Sequence, residues 1–94
     1  MLEDIRRYLQ ITYEDADTDQ VLTGLMARGR KVIDDYAGAP QDYESEGLPR
    51  QLLFDYVRYG RSHALEMFEI NFQRDLIALR ELAEEAWSED SYNH

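Results

Sequence analysis

Apolar side chains recur every three or four positions along most of this chain, the spacing of one face of an α-helix. Leu2, Ile5, Tyr8 and Leu9 carry that spacing first, while Glu3, Asp4, Arg6 and Arg7 point the other way. The pattern predicts an amphipathic helix over 2–9, too short to persist unless it is packed, with Ile11 tucked beneath it. An acidic turn, Glu14-Asp15-Ala16-Asp17-Thr18, leads into a second helix. It is expected to start after Asp17 or Thr18, either of which can accept hydrogen bonds from free backbone N–H groups. Val21, Leu22, Leu25, Met26, Gly29, Val32, Ile33 and Tyr36 form its apolar stripe, and Gly38 is placed to stop it.

Residues 39–48 form one acidic loop, in which Tyr43 is expected to be exposed. Pro49 fits the first turn of a third helix. Its apolar face runs through Leu52, Leu53, Tyr56, Val57, Gly60, Ala64, Leu65 and Phe68. Gly60 and Ala64, one turn apart, would let another helix approach closely. After a break near Ile70-Asn71, Phe72, Leu76, Ile77, Leu79, Leu82 and Ala83 give a fourth helix. The expected architecture is all-α: one domain, residues 1–86, a small four-helix bundle-like body with a long central third helix. Residues 87–94 are expected as a flexible acidic tail.

Composition narrows what such a body does. Ninety-four residues make one domain and leave much apolar surface uncovered. There are no cysteines, so neither disulfides nor thiolate metal sites arise. The N-terminus lacks the basic start and apolar run of a secretory signal, and no stretch nears the ~20 apolar residues that span a bilayer. A soluble, cytoplasmic protein is expected. The net charge of −10 opposes broad electrostatic contact with nucleic acid or with an anionic membrane. Nine of the ten cations are arginine, Lys31 being the exception. Arginine is enriched at protein interfaces, although compositional bias explains the preference equally well.

The motifs that would carry chemistry fail on inspection. Asp15-x-Asp17-x-Asp19 opens like a calcium loop, but Gln20 replaces the turn glycine and Met26 the bidentate glutamate. It reads better as a capping turn. His63 and His94 are too far apart in sequence for a metal pair, and a partly buried structural role is expected for His63. Adjacent acids such as Asp34-Asp35 point in different directions, and there is no glycine-rich phosphate loop. No catalytic residue, metal or cofactor is expected. The candidate contact residues are Arg58, Tyr59 and Arg61 on the third helix, Arg28 and Lys31 on the second, and Tyr43 in the loop. Arg58, Tyr59 and Arg61 join an aromatic ring to two guanidinium groups, an interface-like composition; a solvated helix face with local salt bridges is the alternative.

In order and spacing, several strings resemble one family, the small head–tail connector (head completion, or adaptor) proteins of tailed phages and prophages. They are Leu2-Glu3-Asp4-Ile5-Arg6-Arg7-Tyr8-Leu9, Asp15-Ala16-Asp17-Thr18-Asp19, Ile33-Asp34-Asp35-Tyr36-Ala37-Gly38, Leu52-Leu53-Phe54-Asp55-Tyr56-Val57-Arg58-Tyr59 and Ala64-Leu65-Glu66-Met67-Phe68-Glu69. The likeness covers residues 1 to about 85; the acidic Ser88-Glu89-Asp90 has no counterpart in it. The resemblance implies a non-enzymatic four-helix subunit that forms a homo-oligomeric ring beneath the portal protein. That ring would extend the DNA channel, dock the tail or a further adaptor, and sit at the virion head–tail junction. DNA would pass an acidic wall without being gripped. The competing reading is an acidic helical protein-binding module, a DNA mimic or a regulatory partner of a basic protein, although here acids and arginines are interspersed.

Overall fold

Asp15, rather than Asp17 or Thr18, starts the second helix. Its carboxylate accepts from the Asp17 N–H at 3.3 Å and from the Thr18 hydroxyl at 2.8 Å, so both expected caps lie inside the first turn. The structure, a computed structural model, describes residues 1–92, with side chains through residue 85. Its helices are α1 Leu2–Tyr8, α2 Ala16–Ala37, α3 Leu48–Arg61, α4 Phe68–Asn71 and α5 Gln73–Tyr92, with a 3-10 turn at Leu65–Met67. The fold is all-α. Because α5 runs through Tyr92, the backbone of 87–92 is helical. The side chains of the expected tail, and residues 93–94, lie outside the described residues.

Three helices stop the same way. Gly38 takes a left-handed conformation (φ +82°), and the Ala39 N–H reaches back to the Asp34 carbonyl at 3.2 Å. Gln10 (φ +60°) does this for α1, with Ile11 N–H donating to the Arg6 carbonyl at 2.9 Å. His63 (φ +57°) does it for α3, with Ala64 N–H donating to the Tyr59 carbonyl at 2.9 Å. These six-to-one bonds satisfy carbonyls that a helix end leaves free. His63 is exposed, not partly buried as expected.

The stop at His63 overturns the expected long third helix. In a continuous helix Phe68 would stand about 18 Å along the axis from Tyr56, yet their rings are 5.2 Å apart. The chain turns after Ser62 and folds Phe68 back onto its own helix. Phe68, Phe72, Tyr56 and Tyr59 then form one aromatic cluster, with Phe68 and Phe72 stacked at 5.1 Å. Thus α3 spans 14 residues while α2 spans 22 and packs against α1, α3 and α5. The long central element is α2.

Glycine sets the closest approach in the core. A Cβ on Gly29 would lie 2.8 Å from Leu53 Cδ1 and from Tyr56 Cδ1, and one on Gly60 would lie 2.5 Å from Leu25 Cδ2. Gly29 faces the middle of α3 and Gly60 faces residue 25, so the two helices run antiparallel, each glycine seating side chains of the other helix against its backbone. Leu22, Ile33, Leu53 and Val57 are fully buried between them, joined by Ile5 from α1 and by Leu76 and Leu79 from α5. Phe72 sits beside Tyr59 near the end of α3, and Arg80 lies near Tyr36 at the end of α2. That path carries α5 back along α2. Meanwhile α1 meets α3 through Phe54, Asp55 and Arg58, so α1 and α5 occupy different flanks of the α2–α3 pair.

Candidate interaction surface

On the α1 flank, Asp55 is the single buried charged residue among the described residues, 5% exposed. Burying a carboxylate is costly unless its oxygens are paired. Here Oδ1 accepts from the Tyr8 hydroxyl at 2.6 Å and from an Arg58 N–H at 3.3 Å. Burial, and then the bond to Asp55, push the Tyr8 hydroxyl above the ordinary tyrosine range. The Tyr8 ring stands edge-on to Phe54 at 5.5 Å, and the Arg50 guanidinium lies 4.7 Å from the Phe54 ring centre. Arg50 also bonds Asp4 at 3.0 Å, which holds that carboxyl below its usual value. Two α1 side chains, Asp4 and Tyr8, therefore fix that helix to α3.

This anchoring brings the C-terminal ends of α1 and α3 side by side. Tyr8, Leu9, Gln10, Arg58, Arg61 and Ser62 line a groove of about 440 Å³ between them. Its lining contains two arginines and no acid, in a chain of net charge −10. Arg61 donates to the Tyr13 hydroxyl at 3.0 Å, and Arg58 lies 4.9 Å from the Tyr59 ring centre. Arg7, 79% exposed, is the residue before Tyr8.

The α5 flank differs in character. Tyr36, Glu69, Ile70, Leu76, Ile77 and Arg80 line a groove of about 360 Å³, in which Ile70 is 65% and Ile77 51% exposed. Val32 and Asp35 join Tyr36 and Glu69 in an adjoining depression. Burial, and then the Glu69 carboxylate, raise the Tyr36 hydroxyl above its ordinary value. Arg80 pairs with Glu84 at 3.5 Å, so the acids Asp35 and Glu69 dominate this side.

No known family model, characterised protein or solved structure matches this chain.

Of the residues expected at an interface, Arg58 and Arg61 come together, with Tyr59 half-buried beside them. Arg28 and Lys31 are exposed on the outer face of α2 and line neither groove. Tyr43 is a correction: it is 6% exposed. Its hydroxyl donates to Asp34 Oδ1 at 2.6 Å and lies 3.1 Å from the Arg30 carbonyl, while its own carbonyl accepts from Arg50 at 3.0 Å. A tyrosine whose hydroxyl finds such partners is buried with little loss, so Tyr43 pins the 39–47 loop to α2.

Asp55, Tyr8 and the Ile70–Ile77 side do not stand out as contact residues in the sequence. For the first, the three-residue spacing from Asp55 to Arg58 is the one signal the sequence carries. Among the described residues, no three His, Cys, Asp or Glu side chains gather as a metal site, and no helix is long and apolar enough to cross a membrane.

Proposed function

We propose that this chain is the head–tail connector (head completion) subunit of a tailed phage or prophage, a non-enzymatic protein that packs side by side with its own copies beneath the portal. The observation that carries this reading is the pairing of two chemically different exposed faces on one small helical body. One is an arginine–tyrosine groove where α1 and α3 end; the other is an acid-rimmed apolar groove along α2, α4 and α5. Closed rings use heterologous contacts, in which one face of a subunit meets a different face of the next. Arginines and exposed aromatics are the residue types that dominate such contacts. The order of strings shared with the connector family supplies the setting: portal above, tail or further adaptor below, and DNA passing through the centre.

Electron microscopy of particles from an induced prophage lacking this gene tests the reading. Filled heads and finished tails that remain separate, and that join when the protein is supplied, are expected. Normal virions, or an absence of heads, would remove the connector role.

A further inference from the structure

We infer that residues 62–67 are a hinge: they straighten into helix continuous with α3, and α4 and α5 then leave their own body to pack on a second copy. The product is a closed two-fold pair that trades α5, and it does not depend on the connector reading.

The chain through the turn has the sequence of a helix. Leu53, Val57, Gly60, Ala64, Phe68, Phe72, Leu76, Leu79 and Ala83 follow one another at steps of three or four, so one apolar stripe crosses α3, the turn, α4 and α5. From Arg61 onward there is neither glycine nor proline, and Ala64, Leu65, Glu66 and Met67 are all strong helix formers. Yet α3 stops at His63, an exposed residue at φ +57°, where any side chain carries a steric penalty. What bends the chain is therefore tertiary. Phe68, 1% exposed, meets Tyr56 and Tyr59, and the Asn71 amide donates to the Tyr59 hydroxyl at 2.8 Å. Leu76 and Leu79 are buried in the core. Local preference and packing thus pull residues 62–67 in opposite directions.

Exchange satisfies both. In the pair, the aromatic cluster and the packing of α5 on α2 are remade between copies, so no buried contact is lost. The turn meanwhile gains helical hydrogen bonds and sheds its left-handed residue. Trading an identical element is a low-cost route to a dimer. Another copy is the occupant because it offers the surface that α5 already fits. Each copy gives and receives one α5, so the assembly closes at two. Monomers meet quickly, but α5 must come off α2 before it can be traded, which makes the exchange itself slow.

The full chain, held at high concentration in mild denaturant and returned to buffer, tests this by size-exclusion chromatography with light scattering. Wild type is expected to yield a dimer that reverts slowly on dilution. Residue 63 counts twice in each pair. His63→Ala, which favours the straight helix, should raise the association constant about tenfold, and His63→Gly, which favours the turn, should lower it about tenfold. His63 is exposed, so both variants should fold, with circular dichroism as the check. Because the chain has no cysteine, spin labels can be placed at Lys31→Cys on α2 and Glu81→Cys on α5, both exposed positions. The distance measured within a doubly labelled monomer should reappear between chains when the two singly labelled proteins are exchanged together. An absence of dimer in wild type, equal dimer in His63→Ala and His63→Gly, or an interchain distance unlike that of the monomer would each overturn the inference.

Discussion

Two glycines five residues apart on α2 should respond oppositely to the same substitution. Replacing glycine by alanine inside a helix favours the folded state by about 1 kcal/mol, because the freer glycine backbone loses more on folding. At Gly24, which is exposed and has no atom within 4 Å of a new Cβ, nothing opposes that gain. Gly24→Ala should therefore stabilise by about 1 kcal/mol. At Gly29 the same Cβ would sit 2.8 Å from Leu53 Cδ1 and from Tyr56 Cδ1, against a favourable carbon–carbon separation of about 3.5–4.0 Å. The buried side chains of Leu53 and Tyr56 must give by several tenths of an ångström, and overpacking of a full core costs about 1–3 kcal/mol. After the helix gain, Gly29→Ala should destabilise by about 1 kcal/mol, separating the two variants by about 2 kcal/mol. Thermal unfolding followed by circular dichroism would show this as a gap of roughly 10 °C between their midpoints. Equal stabilisation by both substitutions would refute the close α2–α3 approach.

The helix stops give a second test. His63→Gly should raise stability by about 1 kcal/mol, since a side chain in the left-handed region carries a steric penalty that glycine lacks, whereas Gly38→Ala should lower it by a similar amount; urea midpoints decide both. Tyr43 gives a third. Burial and the Asp34 carboxylate hold its hydroxyl far above the ordinary value of 10.0. Its folded-state pKa is raised, so its contribution is complete below pH 10.0 and is lost as pH climbs above that. Tyr43→Phe should cost about 1–2 kcal/mol near neutral pH and should flatten the alkaline fall in stability. A wild-type stability that is insensitive to alkali, or identical in the two proteins, would contradict the buried bond to Asp34.

The elements announced by periodicity or by glycine and proline are legible in the sequence. Gly38 ends α2 as expected, Pro49 lies in the first turn of α3, and the α2 stripe buries Leu22, Leu25, Met26 and Ile33. The failures share a cause. His63 ends α3 through a backbone conformation that its side chain does not advertise, so the apolar repeat carries the expected third helix past its true end. Tyr43 reads as exposed because its partners, Asp34 and the Arg30 carbonyl, belong to a helix packed across from its loop. Tyr36 and Ile77 fit the apolar repeat of their helices yet sit at the edge of the core, because a stripe is wider than the neighbour that covers it. At the surface, composition alone points to Arg58 and Arg61. The groove they line depends on how α1 docks on α3 through Tyr8–Asp55 and Asp4–Arg50, which pattern does not fix.

The α2–α3 hairpin has a kinetic consequence. Its partners are close in sequence, the back-folded aromatic cluster closes within residues 56–72, and α1 lies against the start of α2. Helical proteins dominated by such local meetings fold in microseconds to milliseconds, whereas ribosomes add residues at only about 5–20 per second. A newly made chain reaches its final shape almost as soon as its last helix emerges. Any encounter between copies is then a collision of finished bodies, with its rate set by concentration and salt rather than by chain rearrangement.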